Sequence, residues 1–456
     1  MASVNKKINQ FVGKTHEGAL SRDKSAEAEL RRTIMACLLW EDTFYESGKS
    51  IADRIMELIQ KVDPQTVTEI AIEARTKQYL RHVPLLIVRE LVRRGMIDPE
   101  ARKYVRGALS GVIQRPDELK EFLAIYWKGK DKDQSLSAQV KKGLADAFGK
   151  FNAYQLAKYN NEEGAVSLRD VMFLVHPRPK DAEQAEVWKK LANRELESPD
   201  TWEVALSASK GEGKKEIWER LLKEQKLGAF ALIRNLRNMI QAGVNDGLVR
   251  EGLREAKSDK ILPFRFLAAL RAAPQYAGEL EGMMLKNLSD QPKLPGTTIL
   301  LVDVSGSMDH QLSTKSDLKR VDAAAGLAIM LREVCQSVRV ASFSTKTVEV
   351  PAYRGLALAE SIQKSQIHDA TNTADAVKWA NQQTYDRLMV ITDEQASGGR
   401  MGWGSYAAVV PGPKNLGYMI NVASYQNGIG YGPWVQIDGW SERVVDFVRA
   451  YETEAE

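Results

Sequence analysis

The 456-residue chain holds two cysteines, Cys37 and Cys335, each inside an apolar stretch of helical spacing. Neither a disulfide framework nor a cysteine zinc site is indicated, which points to a reducing, cytoplasmic setting. No uninterrupted apolar run approaches the roughly 18 residues of a membrane span, so no membrane role is expected. The amino terminus, MASVNKKINQFVGKTHEG, lacks the apolar centre of a secretory signal. The five histidines, His16, His82, His176, His310 and His368, stand singly, without H-E-x-x-H or other metal spacing. No phosphate-binding GKS or GKT follows a strand, and no G-x-G-x-x-G opens a helix, so nucleotide binding has no support. No nucleophile stands out beside a base, and no carboxylate pair is spaced for hydrolysis. These absences point to a binding protein rather than an enzyme.

What is present is an ordinary globular composition, 44% hydrophobic and 27% charged, in a chain too long for one hydrophobic core. Net charge is only +4, but it is unevenly spread. Residues 296–456 carry 14 basic and 18 acidic residues, and residues 1–295 carry 50 and 42. A basic excess confined to the first part suggests a polyanion partner there, with a solvated helical surface as the plain alternative.

Residues 1–22 read as a flexible arm, with Lys6, Lys7, Lys14 and little periodicity. From Ala26 to about Leu288, apolar positions recur at helical spacing in segments of roughly 11 to 18 residues. Asp63-Pro64, Asp98-Pro99, Arg115-Pro116, Ser198-Pro199 and Leu262-Pro263 suit helix starts. About fifteen short helices without intervening strands suggest a solenoid of stacked pairs with a long concave surface. One stretch is rich in arginine: Arg75, Lys77, Arg81, His82, Arg89, Arg93, Arg94, Arg102, Lys103 and Arg106. Leu85, Leu86, Val88, Leu91 and Val92 fill the buried face of one helix and leave Arg89 and Arg93 side by side on another. On this reading Glu73 and Glu90 dilute the field only slightly. Guanidinium groups fork onto phosphate and stack on unpaired bases, so RNA is the expected polyanion.

The second part is organised around TTILLVDVSGSM, residues 297–308. Four apolar residues, Ile299 to Val302, read as a strand buried on both faces, ending in Asp303, Ser305 and Ser307. Ligands of open α/β sheets bind at that end of a strand. Carboxylate and hydroxyl oxygens on one tight turn suit Mg²⁺ far better than Zn²⁺. Thr371, before an amphipathic helix, and Asp393, after the apolar strand Leu388 to Ile391, can converge on the same point. The five residues resemble the metal-ion-dependent adhesion site of von Willebrand factor A domains, and the resemblance implies direct contact by the serines and Thr371, with the aspartates acting partly through water. Alternating helices and strands after residue 320 predict a doubly wound, mostly parallel sheet. The glycine-rich segment 397–414, with Trp403 and Tyr406, reads as a surface loop near this edge, available to a partner.

Lys158-Tyr159, the apolar helix after Asp170, His176-Pro177 followed by Arg178, ALIRNLRNM at 231–239, ILPFRFLAAL at 261–270 and LLVDVSGSM resemble, in order, the Ro ribonucleoprotein family. The resemblance implies a bacterial or phage-type member: a flexible arm (1–22), a ring-like HEAT-type helical-repeat TROVE domain (23–290), and a doubly wound von Willebrand factor A-like α/β domain with a metal site (296–456). It also implies RNA binding, with misfolded RNA 3′ ends in the ring and small noncoding Y-like RNA on its rim. Lys158 and His176 match family residues that contact RNA, and Arg81, His82, Arg89 and Arg93 join them as candidates. Where relatives continue with basic residues after Lys-Tyr, this chain reads Asn160, Asn161, Glu162 and Glu163, which weakens the case for Y-like RNA. A 3′-to-5′ exoribonuclease is an implied partner in RNA quality control, and a ring closed within one chain implies a monomer. Two other readings stay open: a protein-interaction adaptor in which a partner's carboxylate completes the Mg²⁺ coordination, and a Mg²⁺-dependent phosphodiesterase.

Overall fold

Asp-Pro and Arg-Pro pairs set the starts of the helical part as their chemistry requires. In the computed structural model, Asp63 caps the helix Pro64–Thr76 by accepting from the Thr66 amide at 3.1 Å, and Asp98 caps Pro99–Val112 by accepting from the Glu100 amide at 2.9 Å. Proline at the first turn loses no hydrogen bond there. Arg115-Pro116 opens Pro116–Tyr126, where the Glu118 carboxylate reaches back to the Gln114 and Arg115 amides at 2.7 and 3.0 Å. The structure describes residues 11–15, 18–22, 24–35, 47–128, 135–160, 166–197, 199–209, 213–258, 261, 263–289, 291–312, 317–397, 399–401, 404–406, 409–423, 428–430, 432–439 and 443–453.

The chain divides into two compact units, Asp53–Ile217 on one hand and the residues up to Ala52 together with Trp218–Glu456 on the other. Within the first, helices pack on their second neighbours in two rows. Pro64–Thr76, Pro99–Val112, Ala138–Phe148 and Leu168–Val175 make one row, and His82–Arg94 packs on Pro116–Tyr126 in the other. This is the two-layer arrangement of HEAT-type repeats. The rows close tightly at Gly143, where an added Cβ would stand 2.8 Å from the Leu109 side chain and 3.0 Å from the Arg106 carbonyl. Burial of Val67, Ile70, Leu85, Leu91, Leu109, Phe122 and Phe148 supplies the core, each worth about 1.5–3 kcal/mol.

The second unit contains the sheet. Its strands are β3 (Leu294–Asp303), β4 (Cys335–Phe343), β5 (Thr347–Val350), β6 (Arg387–Thr392), β9 (Leu416–Asn421) and β10 (Val435–Asp438), in the order β10-β9-β6-β3-β4-β5. All neighbours run parallel except the edge pair β4 and β5. The doubly wound expectation holds, with β5 and β10 as strands the sequence pattern did not reveal. Cys335, expected within a helix, begins β4 and is buried; Cys37 lies outside the described residues. The switch of strand order falls at β3 and β6, whose carboxyl ends carry the D-x-S-x-S turn and Asp393. Helix Arg320–Val334, almost wholly buried, packs on β3 and on helix Pro263–Ala272. Gly326 allows that approach, since a Cβ there would lie 3.1 Å from the Phe264 backbone nitrogen.

Within the stretch expected to be a flexible arm, β1 (Phe11–Lys14) and β2 (Leu20–Arg22) pair antiparallel. The Thr15 hydroxyl donates to the Ala396 carbonyl at 2.8 Å, the Ser21 hydroxyl donates to the Gly428 carbonyl at 3.0 Å, and Ala19 joins the core of the sheet. Helix Ala26–Met35 follows and packs on β10. In the glycine-rich segment, β7 (Gly399–Met401) pairs with β8 (Gly404–Tyr406); Trp403 lies outside the described residues.

Candidate metal centre and nucleic-acid interface

Three chain segments meet at the carboxyl edge of β3 and β6. Asp303 and Asp393 are fully buried, and Thr371 is nearly so. The Asp303 carboxylate accepts from the Ser305 amide at 2.9 Å and from the Thr392 hydroxyl at 2.5 Å. The Ser305 and Ser307 hydroxyls lie 3.2 Å apart. The Gly306 amide donates to the Asp369 carbonyl at 2.7 Å, and the Thr371 amide donates to the Ser397 hydroxyl at 2.9 Å, which brings the Thr371 loop to the serines and to the turn after β6. Burial, and then the nearby Asp393 charge, raise the Asp303 pKa to about 7, against the downward pull of Thr392 and Ser305. Two buried carboxylates, with the Ser305, Ser307 and Thr392 hydroxyls on the Asp303 side, make an oxygen-rich donor set of the kind a hard divalent cation takes.

The D-x-S-x-S pattern did not reveal one further participant. Arg320, at the start of its helix and 1% exposed, donates to Asp393 Oδ2 at 3.1 Å and to the Ser307 carbonyl at 3.3 Å. A fixed cation therefore shares the site with the two aspartates. Next to Asp393, Glu394 adopts a left-handed backbone (φ 60°) and pairs with Arg32 at 2.8 Å, so the amino-terminal helix is tied to the residue after the candidate ligand. The sequence signal for Arg320 is a basic residue beginning an otherwise apolar helix.

In the unit Asp53–Ile217, the candidate RNA residues fall into groups. Arg81 pairs with Asp117 and Glu121, and His82 stands 3.8 Å from Glu121. Burial and then the Arg81 charge lower the His82 pKa, so this imidazole is held toward its neutral form. Arg115 bridges from Asp117 to the Tyr159 ring, 4.8 Å from its centroid, and Lys158 lies 5.8 Å from the same ring and 3.4 Å from Glu203. Arg81, His82 and Lys158 thus border one patch around Asp117 and Tyr159. His176 is the exposed left-handed cap (φ 48°) ending helix Leu168–Val175. Arg89 and Arg93 both turn to Glu90, which is buried, so Glu90 does more than dilute their field. Asn161, Glu162 and Glu163 lie outside the described residues; Asn160 is described.

Among the described residues no helix is long and apolar enough to cross a membrane. The family model for the TROVE domain matches residues 25–194 and 193–286, and the model for the Ro60 vWA domain matches 297–402. Mouse telomerase protein component 1 is 23% identical over 307 residues, covering 47% of this chain. The rat protein of the same name is 20% identical over 345 residues, covering 56%. The chain spans only 11% and 13% of those relatives' lengths. The crystal structure of the Deinococcus radiodurans RO (RSR) protein superposes with a TM-score of 0.60 at 19% identity, covering 91% of this chain and 97% of that one. With both domain models matched in order, the chain belongs to the Ro family of RNA-binding proteins, a TROVE domain joined to a Ro60-type von Willebrand A domain.

Proposed function

We propose that this protein binds small noncoding RNA of the Y-like kind and the single-stranded 3′ ends of misfolded RNA, and serves RNA quality control in the cytoplasm as a non-enzymatic scaffold. The carrying observation is the TROVE match across residues 25–286. Lys158 and Arg115 beside the Tyr159 ring, bordered by Arg81 and the neutral imidazole of His82, support it, because a cation beside an aromatic ring suits a phosphate and an unpaired base. A 3′-to-5′ exoribonuclease is the proposed protein partner. Filter binding with a small RNA bearing a single-stranded tail, beside the same RNA made blunt, tests the reading. Preference for the tailed RNA is expected, and equal affinity removes the 3′-end role.

The metal-dependent adaptor role is kept as a second reading because Asp303, Ser305, Ser307, Thr371 and Asp393 converge. Mg²⁺ bound there would offer an open position to an acidic group of a partner, with Arg320 holding Asp393 in place. Titrating chelated protein with Mg²⁺ in a calorimeter tests the site; no heat at millimolar metal leaves the loop a structural turn. A ring closed within one chain predicts a monomer with a compact scattering profile, and a rod-like pair-distance distribution excludes closure.

A further inference from the structure

Helices Ala229–Arg234 and Leu236–Gln241 run almost continuously, and helix Pro263–Ala272 packs against both, all within the unit that carries the sheet. No aspartate or glutamate occurs between Gln225 and Asn245, nor between Ile261 and Ala273. These helices carry four arginines. Arg271 is taken up by Asp322 at 2.5 Å, but Arg234, Arg237 and Arg265 have no carboxylate partner among the described residues. Like charges gathered without acids are unfavourable unless an anion joins them.

Geometry adds an aromatic component. The Arg265 guanidinium carbon lies 5.6 Å from the centroid of the Phe230 ring and 5.0 Å from that of Phe264. Phe264 is buried, whereas Phe230 is 45% exposed and leaves ring surface open beside the guanidinium. Burial by its neighbours, and then the Arg234 charge, push the Arg265 pKa down, as expected of a cation short of counter-charge. Between the first two helices the buried Asn235 amide donates to the Ala231 carbonyl at 2.8 Å and accepts from Asn238 at 2.9 Å, fixing the joint that separates Arg234 from Arg237.

We infer that Phe230, Arg234, Arg237 and Arg265 form a second contact site for single-stranded RNA, in which a base stacks on Phe230 and the flanking phosphates are held by the three arginines. The inference rests on the RNA-binding reading and names where this unit takes part in it. An exposed aromatic face selects an unstacked base, which a duplex does not offer, and guanidinium forks select phosphate over a simple carboxylate.

The test uses the full chain and a fluorescein-labelled oligouridylate 12-mer, with anisotropy followed across a sodium chloride series. Arg234→Gln with Arg265→Gln is expected to weaken binding at least tenfold and to lower the slope of log K against log salt by about 1.4, at roughly 0.7 per lost phosphate contact. Phe230→Leu is expected to weaken binding severalfold at unchanged slope. Wild-type affinity and slope in a folded double variant overturn the site while leaving the RNA-binding reading intact. Failure of wild-type protein to bind either the 12-mer or tailed small RNA overturns both. Should the double variant not fold, photocrosslinking wild-type protein to a 5-iodouridine-substituted 12-mer decides: crosslinks within residues 229–241 are expected, and their absence removes the site. Competition by polyglutamate as effective as that by the 12-mer would assign the surface to an acidic protein segment instead.

Discussion

In the stretch 75–106, guanidinium groups meet carboxylates of the same unit: Arg75 meets Glu118 at 2.7 Å, Arg94 meets Asp98 at 3.1 Å, and Arg81, Arg89 and Arg93 find Asp117, Glu121 and Glu90. In the helices spanning 229–241 and 263–272, only Arg271 has such a partner among the described residues. The first region has the higher density of arginine in sequence, yet its charge is largely met by carboxylates within the unit. Density along the chain therefore says less about a polyanion surface than the distance to the nearest acid, because a paired guanidinium presents little net field.

The largest effect expected from breaking this contrast lies at Arg75. Its replacement by alanine leaves Glu118 fully buried without its cation, and a loss of about 3–5 kcal/mol is expected in urea unfolding. A loss below about 1 kcal/mol would place Arg75 on the binding side of the comparison. Arg320→Ala extends the test to the metal edge, where Asp393 would lose its buried partner; a cost of about 2–4 kcal/mol is expected. Mg²⁺ at 10 mM should restore part of it, raising the variant's melting temperature more than the wild type's. Identical shifts would mean that Arg320 and the metal do not share the aspartates.

Asp438 gives a pH-dependent case. Burial raises its pKa to about 6, with Arg32 opposing and Glu394 adding to the rise. The folded protein then holds more protons than the unfolded chain between about pH 4 and 6, so this group contributes stability at low pH that is lost as pH rises through that window. Relative to wild type, Asp438→Asn should gain about 1–3 kcal/mol between pH 4 and pH 7 and stay level above. A flat difference in pH-resolved thermal melts would contradict it. Arg89→Ala with Arg93→Ala should cost about 1–2 kcal/mol by stranding Glu90, while changing the RNA salt slope less than the Arg234 and Arg265 pair does. Smallest of all, Arg265→Gln should leave stability within about 0.5 kcal/mol, since no acid among the described residues pairs with it.

Much of the fold was readable because its signals are local. Proline after Asp63, Asp98 and Arg115 marks helix starts through backbone chemistry alone, and Ile299 to Val302 declares a buried strand by being apolar without interruption. The convergence of Thr371 and Asp393 with the serines followed from strand-end positions in a parallel sheet. What escaped was set by partners distant in sequence. Glu118 lies 43 residues from Arg75, and Asp393 lies 73 from Arg320, so neither pairing has a local pattern. Edge strand β5 is only four residues long, and β1 and β2 are stabilised by carbonyls of residues 396 and 428. Polar spacing near the amino terminus read as an arm because the surface that orders it is encoded some 380 residues later.

That last separation bears on how the molecule is made. Thr15, Ser21 and Arg32 leave the ribosome about 380 to 410 residues before their partners Ala396, Gly428 and Asp438. At about 5–20 residues per second, the amino-terminal hairpin and helix wait on the order of 20–80 s for the surface they cover. The intervening helices of Asp53–Ile217 can fold in that interval, so the hairpin and helix, made before them, are fixed after them. An expression strategy that fuses a bulky partner to residue 1, or that starts the chain at the sheet, acts on this late step rather than on the helices that precede it.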